Sequence, residues 1–582
     1  MSLPAESLLF TVVAREPLGQ RSCIELSAGQ TVAFDIASGG LWYGHGFAHR
    51  QPYPLNREAV VNDRFAANNT LSPIWMCSAG VAILGDTDQQ LEICFNANNS
   101  GLLTIRCPSA PLTLRIFQGA TLPEAHRKLM HHLGWPGPAP EAAALGESYF
   151  CTWTQYPRCI NQKRVLDMAR AIRSHGYPCS TLVLDDAWEG IVGDMDFGPA
   201  FPDPRGMMDE LRAMGFAAWL WVTPFVNRES ANFQVLAEQG LLVRRLHGDE
   251  PSLLKWWGGT AGLIDLTNPA AVDYYRSRLV RLMEQYGASG FKLDGGDAKY
   301  LPPTDDRRWH RDIGASGYCD LYLALAEEVA PHRCETRTAW LSQGRRILWR
   351  QGGKDSHWGI DNGLAALVTL ALHMSVLGYD ILMPDMVPGR VLTMSDQDPL
   401  PTDELMVRWT EASAFMPLLE FSYFPWNYGP ATHDVIRQYA LAHQALGGYL
   451  GEQSTGRTSP LLRPLWYQNP EAQELYSVAD EYLLGSDLLV APVLQSHQVA
   501  RDIILPAGRW RDAWTGEVHE AGCLRQYPAP CPGIPLFVLE NNPALFATLH
   551  NAIKRIARGS VAPATTSATY RCGISRDIKL TG

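Results

Sequence analysis

The chain has 582 residues, too many for one hydrophobic core, so about two to four domains are expected, one of them large enough to be a barrel. Its net charge of -11 repels phosphate backbones and anionic lipid surfaces, which argues against a nucleic-acid or membrane partner. Twelve cysteines at irregular spacing, with no CxxC pair, offer neither a structural zinc site nor a disulfide framework; they read as reduced, mostly buried thiols, and no metal or other cofactor is expected.

The first residues lack a basic segment followed by an apolar core and a small-residue cleavage site, so a cytoplasmic protein is expected. From residue 8 to about 117, short apolar runs alternate with Gly, Asn and Pro clusters without helical periodicity. This is the pattern of a β-sandwich, placed in 1–140. A helical pattern over 122–133 runs into Gly134-Trp135-Pro136-Gly137-Pro138, whose Pro/Gly density disfavours regular structure and marks a domain boundary. Between 147 and 450, strand-like runs (181–184, 217–222, 290–293, 346–349, 380–383) alternate with helical patterns (161–174, 270–285, 317–329, 364–377). That alternation predicts an α/β fold, a parallel (β/α)8 TIM barrel in 141–450. The uncharged stretch 363–379 is interrupted by His373 and closed by Asp380, which suits a buried helix better than a membrane span. Short strands return near 488–493 and 503–506, with turns at 506–508 and 514–516, giving a C-terminal β-domain in 451–550. The remaining 551–582 mixes a small basic helix candidate with Ser/Thr/Ala-rich sequence and is expected to be a loosely ordered tail.

Catalytic groups of a barrel sit at the C-terminal ends of its strands. Three apolar runs end in carboxylates: 182–184 in Asp185-Asp186, 291–293 in Asp294 and 381–383 in Asp385; a fourth, which carries Trp221, ends in Thr223-Pro224. Strand alternation puts Lys292 and Asp294 on one side, and a cation beside a carboxylate keeps it ionised. Taken alone, Asp294-Gly295-Gly296-Asp297 reads equally well as a turn or calcium loop; its place at a strand end favours chemistry. Asp361 directly precedes a helix, where capping of free backbone amides is the competing role. Glycoside hydrolysis needs one ionised carboxyl and one protonated carboxyl, which Asp294 and Asp361 can supply. No G-x-S-x-G elbow, HExxH, P-loop or dinucleotide fingerprint is present, so serine-hydrolase, zincin and NAD chemistry lose support.

Three further strings carry a family resemblance. The run Phe201-Pro202-Asp203-Pro204-Arg205-Gly206-Met207-Met208, followed by Trp219-Leu220-Trp221-Val222-Thr223-Pro224-Phe225, is one. Leu483-Leu484-Gly485-Ser486-Asp487-Leu488-Leu489-Val490-Ala491-Pro492-Val493 and Leu505-Pro506-Ala507-Gly508-Arg509-Trp510 are the others. Together they resemble glycoside hydrolase family 31 from about Leu41 to Leu539. The resemblance implies that Asp294 is the nucleophile and Asp361 the general acid/base of a retaining exo-α-glycosidase, with Asp185 and Asp385 lining the sugar pocket. Asp186, Trp221, Lys292, Arg350 and Trp358 complete the expected substrate-binding set. Ser356-x-Trp358-Gly359-x-Asp361-x-Gly363-Leu364 and Pro384-Asp385-Met386-Val387-x-Gly389 are similar to the branch of myogenesis-regulating glycosidase and its bacterial α-galactosidase-like relatives. Lys292 stands where α-glucosidases of the family carry tryptophan, and this Lys-x-Asp spacing resembles that of other α-galactosidases, so a terminal α-galactoside is the expected substrate. An α-glucosidase or transglycosylase using the same carboxylates, and a catalytically silent glycan-binding protein, are the alternatives. The segments Trp42-Tyr43-Gly44 and Gln51-Pro52-Tyr53-Pro54 resemble a loop that leans over the family's pocket. The expected partner is a glycoside or oligosaccharide, and a homo-oligomer is compatible with the sequence.

Overall fold

The computed structural model describes residues 8–11, 22–38, 40–46, 51–57, 71–389, 401–556 and 558–561. Two sheets make up the N-terminal part. One orders Leu8–Thr11, Thr31–Asp35, Leu102–Arg106 and Glu92–Phe95; the other orders Cys23–Leu26, Leu112–Gln118, Val81–Asp86, Leu71–Cys77 and Trp42–Gly46. Burial alternates residue by residue along Leu102–Arg106 and along the first residues of Leu112–Gln118, as expected of strands with one face turned to a core. Trp42 of the second sheet meets Phe95 of the first, ring centroids 6.5 Å apart, where the two sheets face each other.

Eight parallel strands form the barrel. In chain order they are Ser148–Cys151, Cys179–Leu184, Ala217–Val222, Gly290–Leu293, Cys334–Thr336, Leu348–Arg350, Leu382–Met383 and Glu420–Phe421, called the first to eighth strands below. The seventh through first follow one another in the sheet, and the eighth pairs with the first. Between the seventh and eighth there is no ladder; the ring meets there through an isolated bridge, Val387 to Phe421. The fourth strand is buried along its whole length, the state of parallel strands covered on both faces. Helices flank it with local punctuation. Gln162–Ser174 starts at Asn161, whose side chain accepts from the Arg164 amide, and Leu364–Val376 is almost wholly buried, as its uncharged sequence requires. Among the described residues no helix is long and apolar enough to cross a membrane. After the third strand the chain inserts a three-stranded antiparallel sheet of Phe225–Asn227, Leu253–Trp256 and Gly259–Leu263.

The C-terminal six-stranded sheet contains one departure from the sequence reading. The turn expected at 506–508 is a register shift inside a single long strand, Ala500–Asp512, which pairs with Val518–Pro528 on both sides of it. Extra residues in one strand are absorbed as a bulge when pairing resumes beyond them. The expected tail is also partly corrected. Helix Pro543–Ile553 runs into it, and Ile553, Ile556 and Val561 are buried, so its first part packs through these apolar side chains; 557 and 562–582 lie outside the described residues. Cys107, Cys151, Cys179, Cys334 and Cys531 are buried thiols.

Candidate active site

The fourth strand delivers its last side chains into a turn that only glycine can make. Gly295 and Gly296 have φ of +66° and +73°, and a Cβ on them would lie 2.6 Å and 2.8 Å from the rings of Phe225 and Tyr322. The motif is a glycine turn at the end of the fourth strand, and that turn aims Asp294 and Asp297 at one guanidinium. Arg337 donates through Nε to Asp294 Oδ1 at 2.6 Å and through Nη1 to Asp297 Oδ2 at 3.0 Å. Asp294 also accepts from the Gly295 amide at 2.9 Å and from Trp221 Nε1 at 3.2 Å. Burial acts against ionisation of Asp294, but Arg337 and then Arg350 outweigh it and hold the carboxyl below the usual aspartate range. For Asp297, burial wins over Arg337 and the pKa is raised.

The cation beside the strand-four carboxylate is thus Arg337 and not Lys292, a correction to the sequence reading. Lys292 points to the barrel floor, where its Nζ lies 2.9 Å from Asp185 Oδ2 and 3.5 Å from Glu335 Oε1. Burial would discharge this ammonium, but Asp185 and its neighbours outweigh that and keep its pKa well above normal. Glu335 Oε1 is also 3.4 Å from Arg350 Nε, and Arg350 Nη1 is 3.3 Å from Asp385 Oδ1. Asp185, Lys292, Glu335, Arg350 and Asp385 therefore form a buried chain of alternating charge across the floor. Asp385 holds a left-handed backbone at φ +72° and accepts the Lys354 amide at 2.9 Å. Beside the chain, Glu420 is driven toward its neutral form by burial and by Glu335. The weakest partners of Lys292 are sulfur atoms, Cys151 Sγ at 3.3 Å and Met386 Sδ at 3.8 Å.

Asp361 has the opposite surroundings. Its side chain is 72% exposed, against 15% for Asp294. The residue capping helix Leu364–Val376 is Gly363, so the capping role weighed for Asp361 is not realised. His357 Nε2 lies 3.8 Å from Asp361 Oδ2, and His357 Nδ1 accepts the Gly359 amide at 2.9 Å. A neutral ring that accepts at Nδ1 carries its proton on Nε2, facing the carboxyl. Asn362 ties the loop down by donating to Gly353 O and Asp355 Oδ2, both at 3.0 Å. Trp358 is half-buried on the same loop.

At the edge of this arrangement Asp186 pairs with Arg158 at 3.1 Å, and burial pushes its carboxyl up to about 6. Trp221 is buried and serves Asp294 as a donor. The expected pocket role of the N-terminal segments is not what the structure gives. Tyr43 packs on Tyr53, Trp466 and Tyr476, and His373 Nε2 meets Pro52 O, so these residues join the sandwich to the short turns that link strands of the C-terminal sheet and to a barrel helix. Sequence reasoning missed Arg337, Glu335 and Glu420. They sit on or just after strands of two and three residues, too short and too polar to show a strand period.

The chain matches the glycosyl hydrolases family 31 TIM-barrel domain over residues 137–450, the glycosyl hydrolase family 31 C-terminal domain over 458–542 and the myogenesis-regulating glycosidase N-terminal domain over 22–122. It is 30% identical to the myogenesis-regulating glycosidase of Mus musculus, an alignment covering 85% of this chain and 74% of that one. It is 27% identical to the SITS-binding protein of Tetronarce californica over 86% of this chain and 74% of the relative. Its fold is that of a family 31 α-xylosidase from a soil metagenome complexed with xylose, with a TM-score of 0.77, 23% identity, and 92% and 83% of the two chains covered.

Proposed function

The chain belongs to glycosyl hydrolase family 31, and from that premise we propose that it is a retaining exo-α-glycosidase acting on a terminal α-galactoside. The observation that carries the reading is the contrast between two carboxyls. Asp294 is buried, held by Arg337 and kept ionised, whereas Asp361 stands on an exposed loop beside an imidazole. In the first step Asp294 attacks C1 of the terminal sugar and Asp361 gives its proton to the glycosidic oxygen, so the aglycone leaves as an alcohol and a glycosyl ester remains. In the second step Asp361, now a carboxylate, takes a proton from water as that water attacks C1, and the ester bond to Asp294 breaks. Both groups end as they began. Trp221, donating to Asp294, fixes the direction of attack.

Sugar choice rests on the floor of the site. Thiol and thioether sulfurs are weak acceptors, so a sugar hydroxyl can take the place of Cys151 or Met386 at the Lys292 ammonium while Asp185 stays paired. An axial 4-hydroxyl met by that ammonium favours galactose over its equatorial epimer. The test is kcat/KM on paired aryl α-galactosides and α-glucosides, with NMR of the sugar first released. A galactoside preference and the α anomer are expected. A higher value for the glucoside refutes the sugar assignment, and initial release of the β anomer refutes retention. Absence of turnover on every aryl α-glycoside would favour the glycan-binding alternative.

A further inference from the structure

The two carboxyls assigned to the chemistry have unlike companions. Asp294 carries a permanent cation, Arg337. Among the described residues no lysine or arginine comes as close to the Asp361 carboxyl as the His357 ring, whose Nε2 is 3.8 Å from Oδ2.

The loop is shaped to present that ring. The His357 amide donates to Asp355 O and its carbonyl accepts from the Leu364 amide, both at 2.8 Å, which stitches His357 to the first turn of helix Leu364–Val376. Gly359 then serves both side chains. Its amide donates to His357 Nδ1 at 2.9 Å, and a Cβ on it would lie 2.2 Å from Asp361 Oδ1 and 3.0 Å from the imidazole. A Cβ on Gly363 would come within 2.7 Å of Nδ1. Two glycines thus leave the room in which ring and carboxyl face each other. Lys354, the cation of the same loop, is buried and donates to Gly352 O and Asn362 Oδ1.

The tether decides what the ring can offer. With Nδ1 accepting an amide, the neutral ring keeps its proton on Nε2, the atom that faces Asp361. The gap of 3.8 Å is longer than a hydrogen bond, and the exposed Asp361 side chain can close it by rotation. A donated hydrogen bond favours the ionised form of a carboxyl. It does so without the standing positive charge that would strip Asp361 of the proton it gives in the first step. Asp361 becomes a carboxylate only after the aglycone has left.

We propose that His357 is a positioning residue for the second step, donating through Nε2 to the ionised Asp361 and holding it so that its other oxygen takes the proton of the attacking water. His357 keeps its own proton throughout. This deepens the α-glycosidase reading and rests on it. The experiment compares two variants with the native chain. In His357→Asn the side-chain oxygen can still accept the Gly359 amide, but the donor at Nε2 is gone; in His357→Gln an amide nitrogen reaches the Nε2 position. The substrate is an aryl α-glycoside with a good leaving group, chosen from a panel as the one the native chain turns over best. kcat then reports the second step and kcat/KM the first. In His357→Asn kcat is expected to fall about tenfold, as for loss of one hydrogen bond to a charged group, with kcat/KM within about twofold of native and glycosyl-enzyme accumulating in intact-mass spectra. His357→Gln should recover most of kcat, and azide, a nucleophile that needs no base, should restore turnover of His357→Asn. An unchanged kcat, equal falls in kcat and kcat/KM, or failure of both glutamine and azide to restore turnover would overturn the role of His357 while leaving the glycosidase reading intact. A native chain that turns over no aryl α-glycoside would overturn both.

Discussion

Replacing Arg337 by glutamine takes away the guanidinium that touches both Asp294 and Asp297 and leaves room for a neutral amide. The longer-range pull of Arg350 on Asp294 survives, but the larger charge that opposes its burial is lost, so the Asp294 pKa should rise. If Asp294 is the attacking group it must be ionised, so the acid limb of kcat/KM should move to higher pH. Stability should follow with a definite sign. Asp294 has a depressed folded-state pKa, so its pairing stabilises the fold above the unfolded aspartate value of about 3.9 and that contribution is lost as pH falls through the folded value. At neutral pH the variant should lose about 3–5 kcal/mol, the usual cost of breaking a buried pair from one side. The gap between variant and native chain should narrow in acid. Urea unfolding at several pH values and a pH–rate profile on one aryl α-glycoside measure both effects. An acid limb that does not move would show that Arg337 does not set the ionisation of the attacking group.

Asp294→Ala should abolish turnover of every substrate, whereas Asp361→Ala should still be glycosylated by an aryl glycoside with a good leaving group, seen as a burst of phenol; equal inactivity of the two variants would count against the assigned roles. A crystal structure should place the two carboxyls about 5–5.5 Å apart, and a separation beyond about 8 Å would exclude a direct attack by Asp294. Glu335→Gln weakens the link between Lys292 and Arg350, so KM for the preferred sugar should rise and the preference between epimers should shrink; a Tm change alone, with KM and preference unmoved, would make Glu335 merely structural. Gly295→Ala forces a left-handed Cβ against Phe225 and should cost at least about 1 kcal/mol in stability together with a fall in kcat.

The elements that were legible in the sequence are those with long, regular apolar periods. Ala217–Val222 and Gly290–Leu293 fall where the apolar runs put them, and so does helix Gly317–Val329. The first, fifth and eighth strands were not legible. The fifth and eighth carry Glu335 and Glu420 in positions where a parallel strand is ordinarily aliphatic, and those acids are the ones that build the floor of the site. The strand after 346 was displaced for a related reason. Its observed span Leu348–Arg350 ends on an arginine whose partners, Glu335 and Asp385, come from two other strands or their ends. A single-strand period cannot register charges that are satisfied only after closure of the ring. Asp294 was legible because its sequence context is local, a strand followed by two glycines. Arg337, its counter-charge, lies 43 positions away and is brought near only by pairing of the fourth and fifth strands.

Eight strands laid side by side share seven ladders, and the eighth junction of this barrel has only the bridge from Val387 to Phe421. A hoop made this way has a clasp. Its hydrogen bonds there are few, the Val387 amide to Glu420 O at 2.8 Å and the Ser422 and Tyr423 amides to Val387 O at 3.3 Å and 3.4 Å, so parting it costs less than opening a full ladder elsewhere on the circumference. Asp385 stands two residues before the clasp and Glu420 one residue from it, so the softest arc of the hoop adjoins the buried chain of charges that ends on Asp385. A change in the girth of the hoop therefore costs least at this point and leaves the laddered arc that carries Asp294 in place.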